Sequence, residues 1–182
     1  MERTRLAEKK ASEDSWVKLA RLSLETFVKT GKHLERLSNG LPAEMTCQTA
    51  GAFVSLHAHG QLWGYIGTTG PTTESVARES VQNAVSACAR DPRFIPVGIG
   101  ELGSLEYSVD VLGQPESISS PDQLDVKKYG GIVSCGGRRG LLLPDLEGMD
   151  TMEQQIDIAR QKGGISAREK YTLERFEVVW HT

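Results

Sequence analysis

Cys135 runs into Gly136-Gly137-Arg138-Arg139. A thiol beside two guanidinium groups is a pattern that favours thiolate. A nucleophile also needs a base, and no histidine lies near Cys135 in the sequence. The simpler reading is a polar hairpin turn whose arginines reach water. His57 and His59 stand two apart at a hairpin tip and share one strand face. Two imidazoles can begin a metal site, but a third ligand is needed and none is near in sequence, His181 being remote. No metal is assigned. Gly98-Ile99-Gly100-Glu101-Leu102-Gly103 spells the dinucleotide fingerprint. That motif works only between a buried parallel strand and a helix N-terminus. Here a proline-bounded loop precedes it and a strand pattern follows, so no nucleotide or other cofactor is expected.

The stretch with most to say is Gln61-Leu62-Trp63-Gly64-Tyr65-Ile66-Gly67-Thr68. Strand alternation puts Leu62 and Ile66 on the inward face and Trp63 and Tyr65 on the other. A glycine inside a strand implies that something approaches the backbone closely. Trp63 and Tyr65 are then either the stacking walls of a pocket, with Gly64 and Gly67 leaving room for a ligand, or packing under a helix.

The elements that must hold these residues repeat. Residues 51–112 read as strand, turn, strand, proline-containing loop, helix and strand, and residues 130–180 follow the same order. The opening strands are Gly51-Ala52-Phe53-Val54-Ser55 and Gly130-Gly131-Ile132-Val133-Ser134, each followed by a turn ending in glycine, at His59-Gly60 and Arg138-Arg139-Gly140. The helices are expected over Glu74–Ala89 and after a capping box of Asp150 and Glu153, closed by Gly163-Gly164. The closing strands are Leu105–Leu112 and Leu173–Trp180. Gly113–Lys128 reads as loop. Ahead of the first repeat, Asp14–Leu37 has apolar residues near helical spacing and reads as an amphipathic helix.

The expected fold is therefore α+β. It has duplicated strand-strand-helix-strand units, largely antiparallel sheets and two sub-domains around a shared seam, where a pocket would form. Residues 1–40 are the N-terminal helical segment and residues 41–182 the domain. The charge is balanced, with 21 Lys+Arg against 24 Asp+Glu, so a nucleic-acid surface is not expected. Arg3, Arg5, Lys9 and Lys10 are interrupted by Glu2 and Glu8 and read as a solvated tail. No apolar run approaches the roughly 18 residues of a spanning helix. Three widely spaced cysteines, Cys47, Cys88 and Cys135, fit reduced thiols and a cytoplasmic location.

Several of these residues carry a resemblance. They are Gly51-Ala52-Phe53-Val54-Ser55-Leu56, Gly64-x-Ile66-Gly67-Thr68, Asn83-Ala84, Asp91-Pro92-Arg93-Phe94-x-Pro96-Val97 and Glu101-Leu102. Further on come Ser108-Val109-Asp110-Val111-Leu112, Pro115-Glu116, Tyr129-Gly130 and Gly140-Leu141-Leu142-Leu143-Pro144. In order, from about Leu41 to His181, the chain resembles the AMMECR domain family, and most of all its bacterial AmmeMemoRadiSam system protein A branch. The resemblance implies a two-part α+β architecture. It also implies company with a Memo-like protein, related to extradiol dioxygenases, and with a radical SAM protein. Asn83, Asp91, Arg93, Asp110, Tyr129 and Pro144 are its structural motif residues. One departure stands out: the family's Leu-Arg-Gly-Cys-Ile-Gly has Trp63 and Tyr65 here in place of Arg and Cys. Chemistry relying on that thiol or guanidinium does not carry over. The reading is a small-molecule-binding or scaffold component with Trp63, Gly64, Tyr65, Gly67, Arg138 and Arg139 as ligand contacts. The alternative is an enzyme acting on a small polar metabolite in the cleft between the halves; no catalytic residue is assigned.

Overall fold

Asp14 starts the first helix, α1 (Ser15–Thr30), by accepting hydrogen bonds from the backbone N–H groups of Trp16 and Val17, each at 3.0 Å. This is the role of an N-cap carboxylate. Gly31 ends it in the left-handed region at φ 71, its N–H returning to the Phe27 carbonyl. The helix therefore stops seven residues short of Leu37, the end expected from apolar spacing, because Gly31 supplies a C-cap that the spacing does not register. Leu34 and Leu37 still pack on the core from outside the helix. Arg78 fixes that segment by donating to the carbonyls of Leu34 (3.2 Å) and Glu35 (2.7 Å).

The computed structural model describes residues 13–182. The basic start, with Arg3, Arg5, Lys9 and Lys10, lies outside them. The chain divides into two units, one running to Val111 and taking in Trp180–Thr182, the other spanning Leu112–Val179.

In the first unit a short helix, α2 (Ala43–Cys47), buries Met45 ahead of the hairpin β1 (Ala52–Ala58) and β2 (Gln61–Gly67). The hairpin turns at His59 (φ 52) and Gly60 (φ 75), the pair of positive φ values that matches strand twist. Helix α3 (Val76–Ala89), capped by the Ser75 hydroxyl, lies on this sheet. β3 (Glu106–Leu112) pairs antiparallel with β1, and the strand order is β2-β1-β3-β8, with β8 at Val178–His181. Leu105, Tyr107 and Val109 enter the core, as alternation predicts.

The second unit holds β4 (Glu116–Ile118), β5 (Gly130–Cys135), β6 (Arg138–Leu142), helix α4 (Met152–Lys162) and β7 (Thr172–Phe176), in the sheet order β4-β7-β5-β6. Four expectations change here. The segment 113–128 is not all loop, since β4 pairs with β7 and a 3-10 turn covers Pro121–Gln123. The hairpin turn is at Gly136-Gly137, so Arg138, Arg139 and Gly140 are strand residues. The capping box is Thr151 with Gln154, one residue later than Asp150 with Glu153, because Gln154 Oε1 binds the N–H groups of both Asp150 and Thr151. The single strand over 173–180 is two strands in different sheets, broken at Glu177, whose carbonyl accepts from Gly113 N–H at 2.8 Å.

Candidate functional site

Sheet register assembles the site. On the face of the first sheet turned away from α3, Tyr65, Ser55 and Ser108 form one cross-strand row and Gly67, Phe53 and Asp110 the next. Ser55 and Ser108 share a hydrogen bond of 2.5 Å between their hydroxyls. The Phe53 ring lies over Gly67, where a Cβ would collide with it, and stacks on Tyr65 with centroids 5.2 Å apart.

Tyr65 is held by its backbone. Its N–H donates to Asp91 Oδ2 at 3.0 Å and its carbonyl accepts from Arg93 at 2.8 Å. Asp91 also accepts from the Arg93 side chain at 2.9 and 2.8 Å and from the Arg93 N–H at 3.1 Å. Arg93 holds the Asp91 carboxyl far below the usual range, and the Tyr65 N–H adds to this against the cost of burial. These two residues thus lock the loop after α3 onto β2.

The Tyr65 hydroxyl and the Asp110 carboxyl are different. Neither has a hydrogen-bond partner among the described residues, although Asp110 is only 7% exposed. Burial pushes the Asp110 carboxyl up to about 6, with His181 pulling it the other way. Burial, reinforced by the Asp110 charge and opposed by Arg93, raises the Tyr65 phenol. An unpaired acid of this kind can bind a donor or exchange a proton near neutral pH.

The glycines of the signature strand have another cause than a ligand. A Cβ on Gly64 would overlap the carbonyl oxygen of Ala87 in α3, and one on Gly67 would meet Phe53 and the Ala52 carbonyl. The space read from the sequence as an opening to a ligand is filled by helix backbone and by an aromatic ring. Trp63 is half-buried and packs against the core of its own unit.

Arg138 and Arg139 are on β6 in the second unit, and both have carboxylate partners. Arg138 pairs with Glu169 and donates to the Gly164 carbonyl at 2.6 Å, and Arg139 lies 3.8 Å from Glu174. Cys135 is 3.9 Å from both Arg138 and Glu169, so the thiol's neighbour is a neutralised guanidinium. Tyr129 lies under Arg175 and Lys128, at 4.3 and 4.8 Å from its ring centroid. Pro144 is buried. His57 lies on β1 and His59 at the turn.

Two anchoring side chains tie helix to strand. Asn83 donates to the Ala52 carbonyl (2.8 Å) and to Thr68 (3.2 Å), and Gln155 to the carbonyls of Tyr129 (3.1 Å) and Leu143 (3.3 Å). Glu79 was missed by sequence reasoning. It is fully buried in α3 and accepts from the N–H and hydroxyl groups of both Thr72 and Thr73. Desolvation would raise its carboxyl, but these bonds and one from Thr68 outweigh it and the net shift is downward. Its signal was present as the threonine-rich loop Thr68-Thr69-Gly70-Pro71-Thr72-Thr73 just before the helix.

The chain has relatives of wide distribution. It is 44% identical over 172 residues to a Thermotoga maritima protein, covering 91% of this chain and 98% of that one. It is 46% identical over 173 residues to a Clostridium acetobutylicum protein, covering 95% of this chain but only 37% of that longer one. The crystal structure of an uncharacterized protein from Pyrococcus horikoshii matches it with a TM-score of 0.79 at 29% identity, over 91% of this chain and 88% of that one. The AMMECR1 family model matches residues 17–181, and the chain belongs to the AMMECR1 family.

Proposed function

We propose that the protein is a cytoplasmic small-molecule-binding component of the AmmeMemoRadiSam system protein A type, working beside a Memo-like and a radical SAM protein. The observation that carries the binding reading is that the Tyr65 hydroxyl and the largely buried Asp110 carboxyl have no hydrogen-bond partner among the described residues and lie on the same sheet face as the Phe53–Tyr65 stack. A carboxyl only 7% exposed that accepts from no described donor keeps its acceptor capacity for a ligand. The partner reading has separate support: the matching Clostridium protein is more than twice as long as the matched segment. A domain that elsewhere shares a polypeptide with other sequence is suited to act with other proteins.

The same site supports a second reading, an enzyme in which Asp110 moves a proton, because its pKa of about 6 lies close to working pH. The two units also share a pattern. In each, a hairpin, a helix and an antiparallel third strand follow in order, and a strand glycine (Gly64 or Gly140) receives a helix carbonyl (Ala87 or Ala159) four residues after a strand-anchoring amide (Asn83 or Gln155). This supports an internal duplication.

Thermal-shift screening of a metabolite panel against wild type, Tyr65→Phe and Asp110→Asn tests the binding reading. Hits should raise the wild-type melting temperature and lose their effect in both variants. Hits that survive both substitutions would move the ligand elsewhere. Co-elution with Memo-like and radical SAM proteins encoded in the same genome tests the partner reading.

A further inference from the structure

The geometry points to a small organic amine in its protonated form as the ligand of the Phe53–Tyr65–Asp110 face. This rests on the binding reading above and names the ligand class. The face offers acceptors and aromatic surface: the Asp110 carboxyl, the Tyr65 phenol oxygen, the Ser55–Ser108 hydroxyl pair and two stacked rings. The two serines spend one donor on each other, so a single hydroxyl proton remains for any ligand.

No cation among the described residues completes Asp110. Arg93 is committed to Asp91 and to the Tyr65 carbonyl. His181 affects Asp110 only through its charge, because its Nδ1 is bound by Asp14 at 2.5 Å and its ring stacks on Trp16 at 4.8 Å. A metal would need more donors: no group of three His, Cys, Asp or Glu side chains gathers among the described residues. An anion would meet a carboxylate with almost no donors. An ammonium group satisfies the carboxylate with a charge-assisted bond and gains from the aromatic faces.

Calorimetric titration of the full chain with putrescine and tyramine, against neutral 1,4-butanediol and anionic succinate, tests this. At least one amine should bind and the other two compounds should not. Asp110→Asn should weaken amine binding by at least about tenfold, and Tyr65→Phe by less, with both variants melting no lower than wild type. Amine binding unchanged in Asp110→Asn, or binding of neither amine, overturns the inference. Succinate or butanediol binding that Asp110→Asn abolishes also overturns it, while leaving the binding face itself in place. Should Asp110→Asn melt lower, Tyr65→Phe and Ser108→Ala carry the same comparison.

Discussion

Gly64 lies directly against the carbonyl oxygen of Ala87, so close that a Cβ would overlap it, and Gly140 meets the carbonyl of Ala159 in the same way. Each contact lets a helix backbone settle onto a strand backbone with no side chain between them. Gly64→Ala and Gly140→Ala should therefore each cost at least about 1–3 kcal/mol through overpacking. Gly70→Ala, where nothing lies within 4 Å, should stay within about 0.5 kcal/mol of wild type. Urea denaturation midpoints compare all three. A Gly64→Ala protein as stable as wild type would mean that α3 does not seat on β2.

Asp91 should make the protein sensitive to acid. Its folded pKa is depressed below the unfolded value of about 3.9. The stabilisation is therefore fully present above about pH 4 and is lost as pH falls through the folded value. Arg93→Ala should lower the melting temperature at pH 7 and flatten this acid limb. Melting curves between pH 2 and pH 7, on a scale of about that width, compare the two proteins. A steep acid limb persisting in Arg93→Ala would assign it to other carboxylates.

Asp110 should act in the opposite sense. Its folded pKa, about 6, lies above the unfolded value, so the folded state holds the proton more tightly. Its contribution is best below about pH 4 and declines as pH rises from there to about 6. Asp110→Asn should thus be more stable than wild type at pH 8, by on the order of 1–3 kcal/mol, and close to it at pH 4. Denaturant titrations at those two pH values read the difference, and a variant weaker than wild type at pH 8 would count against a raised pKa.

Glu79 should be costly to lose. Its carboxylate gathers four bonds from Thr72 and Thr73, which hold the loop ahead of α3. Glu79→Gln should cost about 1–3 kcal/mol, since an amide cannot accept from all these donors, and Glu79→Ala should cost more. Amide exchange in residues 68–73 should rise along with the global loss. Wild-type protection there in Glu79→Gln would show that the loop stands without the carboxylate.

The strands of the first hairpin, α3 and β3 could be read from the sequence because alternation and capping are local signals. The bulge at Leu56/His57 could not, and it leaves Leu62, expected inward, 39% exposed and sets Trp63, expected on the outer face with Tyr65, against the core. Nor could the break at Glu177. Leu173–Trp180 alternates well enough for one strand, and only pairing divides it between two sheets. At the site, Tyr65 stood out as an aromatic beside a strand glycine. Its partnership with Asp110 was hidden, because it depends on register across β1: Phe53 opposite Asp110 in one row, Ser55 between Tyr65 and Ser108 in the next. The meaning of Gly64 was hidden for a similar reason, since a glycine makes room without saying for what.

The first unit takes its last strand from the far end of the sequence, and His181 binds Asp14 across 167 residues. During synthesis on the ribosome, Trp16 and the open edge of β3 must wait until the second unit has been translated. The growing chain thus exposes an apolar ring and an unpaired strand edge for several seconds at ordinary elongation rates. This is the sort of surface a nascent-chain chaperone would cover. Closing so long a loop also places the final docking late in folding.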